Sequence, residues 1–140
     1  MVPCIFCEIV SGKAKASIVY CDKTVTAFMD LHPVNPGHVL LVPNQHVQYI
    51  SELEPETGGQ MFKVAMRIAK AVRIAGVKCE GVNLHLADGE AAGQEVFHSH
   101  LHIIPRYAGD GFGLRFGFNY PTNPSRDNLD TIASMIKTSI

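Results

Sequence analysis

The chain has 140 residues, of which 46% are hydrophobic and 18% are charged, and its formal net charge is −1. These values are typical of one globular domain and argue against a disordered chain. Because no cluster of lysine or arginine could neutralise a phosphate backbone, a nucleic acid polymer is not an expected partner, whereas a mononucleotide needs only local donors. No apolar run approaches the roughly 20 residues of a membrane span, so we expect no membrane partner. Four cysteines without a fold-stapling spacing favour a reducing, cytoplasmic setting.

The first part of the chain predicts three strands. Two β-rich runs, residues 17–21 and 24–30, flank Asp22 and Lys23, which is typical of a hairpin. A loop rich in proline and glycine leads into residues 38–43, a compact apolar run without alternation. Such a run predicts a strand that is buried on both faces at the centre of a sheet.

A long helix is predicted over residues 55–76, because Pro55 suits a first helical turn and Gly76 suits the position after the last. Its apolar residues recur at helical spacing and predict one buried face: Met61, Val64, Ala65, Ile68, Val72 and Ala75. Residues 82–87 then alternate as in a half-buried strand. The connections between strands are too short for parallel crossovers, so we predict an α+β fold: a mainly antiparallel five-stranded sheet with the long helix inserted after the third strand.

Residues 107–140 are predicted to be a C-terminal extension of a single domain that spans the whole chain. The extension starts as a loop rich in glycine and aromatic residues, which either packs on a partner subunit or caps a site. Ser125 then suits the N-cap of a last helix, with Leu129, Ile132 and Ile136 on its buried side.

Three histidines alternate with other residues in the stretch 97–105. The β-branched residues and the proline that ends the run predict a strand, on which His98, His100 and His102 share one face. Three explanations are open at this point. The histidines form a polar outer face, a neighbouring pair shares a metal ion, or a neutral imidazole attacks a substrate while its neighbours bind the developing anion.

Residues 93–104, G-Q-E-V-F-H-S-H-L-H-I-I, resemble the signature of the histidine triad family, in which histidines alternate with apolar residues. Ser99 departs mildly from that pattern. The resemblance extends to residues 4–9, 27–31 and 35–43, in the same order as in the family. It implies a nucleotidyl hydrolase or transferase that cleaves the α-phosphate linkage of purine nucleoside phosphoramidates or related adenylated compounds.

The resemblance also implies roles for the histidines. His100 would attack the α-phosphorus to give a nucleotidyl-histidine, which water then cleaves. Imidazole suits this role because a pKa near 6.5 leaves one ring nitrogen free at neutral pH. His98 and His102 would flank the phosphate, and His38 would orient the other rings, although a satisfied core histidine is the alternative for His38.

The substrate site implied by the resemblance has three parts. Asp30 would bind the ribose hydroxyls. The base would be held by apolar residues, each of which alone also fits a plain core position: Phe6, Ile9, Phe28 and Leu31. The main chain before the histidines would donate N–H groups to the phosphate: Gly93, Gln94, Glu95 and Val96.

Two residues depart from the family pattern. Glu95 stands where relatives often have serine or threonine, and a carboxylate there would repel a phosphate. Ala87 stands where relatives have asparagine or glutamine. Both departures leave the preference for a leaving group open.

Cys4 and Cys7 form half of a tetrahedral zinc site or a redox pair, and the lack of a βαβ pattern around them favours the metal. The resemblance completes this site with His46 and His98 and implies a structural Zn²⁺ that ties the N-terminus to the sheet. A metal-bound His98 could not contact phosphate freely. No organic cofactor is expected.

Three other functions are compatible with the sequence. They are dinucleoside polyphosphate hydrolysis, nucleotide binding for regulation with little turnover, and a purely structural zinc protein. The resemblance also implies a homodimer in which the sheets of two subunits join.

Overall fold

The computed structural model describes residues 3–140 and forms two units, one that ends at Asp110 and one that spans residues 111–140. The strands are β1 Ile18–Cys21, β2 Val25–Met29, β3 Val39–Pro43, β4 Gly81–His85 and β5 Leu101–Arg106. The α-helices are α1 Ile5–Val10, α2 Pro55–Ile74 and α3 Arg126–Lys137. No helix of the described residues is both long and apolar enough to cross a bilayer.

The five strands form one sheet in the order β1-β2-β3-β5-β4, and every neighbouring pair is antiparallel. All residues of β3 are buried, as predicted for a central strand. The hairpin between β1 and β2 closes on Asp22, whose carboxylate accepts the N–H groups of Thr24 and Val25. The predicted α+β fold, with the long helix after the third strand and a helix at the C-terminus, is confirmed.

Helix α2 covers one face of the sheet with the apolar face that its periodicity predicts. The buried helix residues are Met61, Val64, Ala65, Ile68 and Val72. They pack in one core with Val39, Leu41 and Ile103 of the sheet. Ala75, also predicted on this face, is exposed because the helix ends at Ile74 and Gly76 turns the chain with a φ of 91°.

The other face of the sheet carries a second core and most of the histidines. Phe28, Leu40, His102 and His85 are paired in register across β2, β3, β5 and β4. Paired residues of antiparallel strands point to the same face, so these four side chains form one row. Phe6 of α1 packs against the apolar end of this row. Helix α1 was not predicted, since six residues are too few to show a helical period.

In the unit of residues 111–140, the Oγ of Ser125 accepts the N–H of Asn128, which confirms the predicted N-cap. The helix side that was predicted to be buried is exposed instead: Leu129 is 43%, Ile132 is 54% and Ile136 is 59% exposed. The prediction of a buried face on α3 is therefore wrong.

Candidate active site and metal cluster

The histidine-rich stretch is not one continuous strand. Strand β5 begins only at Leu101, and residues 96–98 form a bend. The bend turns the His98 ring into the interior, where it is 0% exposed and its Nε2 lies 2.8 Å from the carbonyl oxygen of Pro43. The prediction of three equivalent histidines on one strand face is therefore wrong for His98.

His98 joins a cluster with the two N-terminal cysteines. Its Nδ1 lies 3.4 Å from Sγ of Cys4 and 3.6 Å from Sγ of Cys7, and Nδ1 of His46 lies 3.3 Å from Sγ of Cys7. A sulfur and a nitrogen bound to one tetrahedral zinc ion are separated by about 3.5 Å. These three distances match a shared Zn²⁺, and all four candidate ligand atoms lie within 4.8 Å of one another.

The surroundings of this cluster also suit a metal ion. Burial raises the pKa of the Cys7 thiol, and the neighbouring Cys4 raises it further. A cation between the two sulfurs would reverse this preference for the protonated form. The Nε2–H of His98 donates to the Pro43 carbonyl. A metal-binding imidazole is usually oriented by such a hydrogen bond from the ring nitrogen that does not bind the metal. Both of its ring nitrogens have partners here, which favours the predicted role of His98 as a metal ligand over its predicted role beside the phosphate.

His100 lies just before β5 with one ring nitrogen anchored. Its Nδ1 is 2.7 Å from the main-chain oxygen of His98, and since a carbonyl only accepts hydrogen bonds, Nδ1 carries the proton. The lone pair of Nε2 is therefore free. The ring is 5% exposed and stands edge-on to Phe6, with ring centres 5.1 Å apart. Burial lowers the pKa of His100, so the ring is neutral near pH 7.

A relay of hydrogen bonds sets the tautomer of His102. The N–H of Val34 donates to Nδ1 of His38, so the His38 proton is on Nε2, which lies 2.9 Å from Nδ1 of His102. His102 accepts this bond at Nδ1 and therefore carries its own proton on Nε2. Nε2 of His100 thus has a free lone pair, whereas Nε2 of His102 carries a proton that it can donate. The two ring centres are 5.0 Å apart.

The carboxylate of Asp30 completes this network, 3.6 Å from Nε2 of His38. Burial lowers the pKa of His102 to about 4, and the neighbouring histidines act in the same direction. Asp30, His38 and His102 are also close enough together to bind a metal ion. Because the two rings already share a hydrogen bond, we assign His38 and His102 as a hydrogen-bonded pair with the Asp30 carboxylate close to it.

The residues predicted to hold the base differ in accessibility. Leu31 is 87% exposed beside Asp30, whereas Phe6 and Phe28 are buried, with ring centres 5.4 Å apart in an edge contact. Ile9 is half-buried in the same core. Leu31 is therefore the apolar side chain of this set that is most open to a ligand, while the two phenylalanines pack in the core below the site.

Some of the main-chain N–H groups before the histidines already make hydrogen bonds within the protein. The N–H groups of Gly93 and Gln94 donate to carbonyl oxygens of the turn that precedes them. These two N–H groups already have acceptors, so their predicted contact with a phosphate stays a prediction that would require the turn to open. In the described part of the chain, the N–H groups of Glu95 and Val96 have no backbone partner and stay candidates.

The sequence indicated no role for two side chains at the site, because Gln94 was predicted to act only through its main-chain N–H. Gln94 is buried and its amide bonds main-chain groups, so its side chain positions the loop. His85 has its ring centre 5.7 Å from that of His102. The alternation of β4 could have placed His85 on the polar face of that strand, but not beside His102, because strand pairing is not visible in the sequence.

The fold and the site define a small α+β protein that has a histidine-based site on one sheet face and a Cys2His2 cluster beside it. A family model described as the HIT domain matches residues 11–109. The chain belongs to this family, the histidine triad family.

Known relatives share both sequence and fold. "Protein hit" of Bacillus subtilis is 44% identical over 111 residues, which are 79% of this chain and 76% of the relative. The crystal structure of a HIT family protein from Bacillus anthracis is 43% identical, with a TM-score of 0.89 over 98% of this chain and 96% of that one. A Zn-bound histidine triad family protein from Mycobacterium smegmatis is 35% identical, with a TM-score of 0.75 over 98% and 97% of the two chains.

Proposed function

We propose that the protein is a nucleotidyl hydrolase or transferase that acts on purine nucleoside phosphoramidates or related adenylated compounds. Nε2 of His100 forms a bond to the α-phosphorus while the bond from phosphorus to the leaving group breaks. The leaving group takes up a proton from water, and His100 keeps its Nδ1 proton, so the ring of the intermediate carries a positive charge. Water then cleaves the phosphorus–nitrogen bond, which releases the nucleoside monophosphate and restores neutral His100.

The observation that carries this proposal is the hydrogen bond between Nδ1 of His100 and the main-chain oxygen of His98. It selects the tautomer in which Nε2 is unprotonated, as a nucleophile must be. The lowered pKa keeps that lone pair available at neutral pH. A ring that served only as a hydrogen-bond donor would not need this arrangement.

The neighbours of His100 support the same reaction. The Nε2–H of His102 would donate to a phosphate oxygen and stabilise the charge that builds up during attack. The carboxylate of Asp30 would accept hydrogen bonds from the ribose hydroxyls, and the exposed Leu31 would contact the base. Glu95, exposed at the end of the preceding loop, would lie toward the leaving group.

We also propose a structural Zn²⁺ held by Cys4, Cys7, His46 and His98, as the ligand spacing supports. When bound, the ion would supply a cross-link between α1 and the segment that carries His100. The Zn-bound relative from Mycobacterium smegmatis is consistent with this assignment.

The test is to trap the covalent intermediate. The protein is mixed with adenosine phosphoramidate labelled in the adenosine and is denatured at alkaline pH, where a phosphorus–nitrogen bond to histidine survives. We expect label on the parent protein and on a Lys70→Gln control, whose substitution lies on the exposed side of α2. His100→Gln should carry no label and should lose at least about a thousandfold in turnover.

The outcome also separates the alternatives. Nucleotide binding without turnover in the parent protein would contradict the enzyme and favour a regulatory binding protein. Zinc-dependent folding without any nucleotide affinity would favour a structural zinc protein. Faster cleavage of dinucleoside polyphosphates than of phosphoramidates would change the substrate class but not the role of His100.

We further propose a homodimer in which sheets join at β4. This strand is an edge of the sheet, and Leu84 on it is 41% exposed. An unpaired, partly apolar edge strand is stabilised by pairing with a second strand. Light scattering should give twice the chain mass, and a monomer at micromolar concentration would contradict the dimer.

A further inference from the structure

One imidazole close to the site has no part in the proposed reaction. His85 is the last residue of β4 and is paired in register with His102, so both side chains lie on the same face of the sheet. Their ring centres are 5.7 Å apart and the rings are tilted by 52°. His85 therefore extends the row of histidines to the edge of the sheet.

The His85 ring is exposed, and among the described residues no hydrogen bond to it is found. The other polar groups near this end of β4 are already used. The carboxylate of Asp88 accepts the N–H of Ile50, and the Gln94 amide is bonded to the main chain. The residues directly after His85 are apolar, with Ala87 buried. At this end of β4, the His85 side chain is therefore able to donate a ring N–H to a ligand.

His85 is also within electrostatic range of the reacting ring. Burial is the main cause of the lowered pKa values of His100 and His102, but the nearby His85 lowers both further. Each N–H···O bond spans about 2.9 Å. Donors on His102 and His85 can therefore reach oxygens of one phosphate group or of two successive groups.

We propose that His85 is a further substrate-binding residue, which donates an N–H to a phosphoryl oxygen of the bound nucleotide from the edge strand. The inference rests on the proposed function, because it assumes that a nucleotide lies over His100. It adds a donor from β4 to the Nε2–H of His102 on β5. The phosphoryl group is that of the α-phosphate or of a phosphate attached to it.

The test compares ligands that differ only in their phosphates. Adenosine, AMP and ADP are titrated calorimetrically into the parent protein, His85→Leu and His85→Gln. Leucine has a similar volume without a donor, whereas glutamine keeps an N–H at a similar reach. His85→Thr, which suits an edge strand but is too short to reach the ligand, is a second variant that loses the donor.

We expect His85→Leu and His85→Thr to bind phosphorylated ligands about tenfold more weakly, with adenosine binding unchanged. His85→Gln should stay within about threefold of the parent. A loss for both AMP and ADP would assign the contact to the α-phosphate, and a loss for ADP alone would assign it to the next phosphate. Because each variant is compared with itself across ligands, a general loss of folded protein cancels.

Two results would overturn the inference while the proposed function stands. One is that His85→Leu binds AMP and ADP as tightly as the parent, and the other is that it loses adenosine to the same degree. A parent protein that binds AMP and ADP no better than adenosine would instead contradict the proposed function, and the inference with it.

Discussion

Gln94 allows a quantitative test of how the loop before the histidines is held. Its amide is buried and makes three hydrogen bonds to the main chain. The Nε2 donates to the carbonyl oxygens of Gln48 (3.0 Å) and Val96 (3.1 Å), and the Oε1 accepts from the N–H of Gly89 (2.7 Å). Gln94→Leu keeps the approximate volume but leaves all three main-chain groups without this partner.

A buried polar group that loses its partner costs about 1–3 kcal/mol. Gln48, Gly89 and Val96 are only partly buried, so water can replace part of each bond, and about 1 kcal/mol per group is the appropriate figure. We therefore expect Gln94→Leu to lower the free energy of unfolding by about 3 kcal/mol. For a chain of this length, that loss corresponds to a fall in Tm of about 10–15 °C.

Gln94→Glu adds a test of direction. A carboxylate can still accept from Gly89 but cannot donate to the two carbonyl oxygens unless it is protonated, so folding should raise the pKa of the new side chain. A carboxyl group whose pKa is raised by folding stabilises the folded state at pH values below its pKa in the unfolded chain, near about 4.3. This stabilisation is lost as the pH rises through the pKa of the folded state. Gln94→Glu should therefore be less destabilised at about pH 5 than at about pH 8, relative to the parent.

The assay is urea denaturation followed by circular dichroism, with Gln45→Leu, at an exposed glutamine, as the matched control. The control should stay within about 0.5 kcal/mol of the parent. A loss below about 1 kcal/mol for Gln94→Leu, or a pH-independent loss for Gln94→Glu, would refute the assignment of these hydrogen bonds.

Three further predictions concern the hairpin, the metal and the histidine network. Burial alone would raise the pKa of Asp22, but the hydrogen bonds that its carboxylate accepts lower it to about 2. As the pH falls from about 3.8 to 2, the free energy of unfolding of the parent should therefore fall by about 1 kcal/mol more than that of Asp22→Asn, after allowance for solvent screening. Urea denaturation that shows the same pH dependence for both proteins would contradict this prediction. Zn²⁺ at a hundredfold excess over its Kd should add about 2.7 kcal/mol of stability that EDTA removes and that His46→Ala weakens, as thermal melts with metal analysis will show. Because burial lowers the pKa values of both His100 and His102, the latter to about 4, the pH at which the rate of label transfer to the protein falls to half should lie below 6.5, whereas a rate that halves near pH 6.5 would be inconsistent with this network.

Elements whose pattern is local were predictable from the sequence. The apolar run of residues 38–43 is the fully buried β3, and the periodic residues 55–76 are α2 with the predicted core face, except at Ala75. In both segments burial against neighbours agrees with the intrinsic pattern, so no long-range information was needed. The clustering of Cys4 with His98 was also expected, but only through the family resemblance.

Features that depend on contacts distant in sequence were not predictable. The bend at residues 96–98 interrupts a good strand pattern because the His98 ring bonds Pro43 and approaches the cysteines, which are more than 90 residues away. The neighbour relation of His85 and His102 depends on strand register in the same way. The exposed apolar side of α3 shows the limit of amphipathicity, which predicts a face but not what covers it.

The bend at His98 makes the Cys2His2 cluster and the candidate nucleophile parts of one arrangement. The side chain of His98 points to the cysteines, while its main-chain oxygen holds Nδ1 of His100. In a regular strand, both rings would lie on one face, and this carbonyl would be available to a neighbouring strand instead. The irregular backbone therefore gives two histidines of one short motif different tasks: His98 anchors the segment through its ring, and its oxygen selects the tautomer that leaves Nε2 of His100 free.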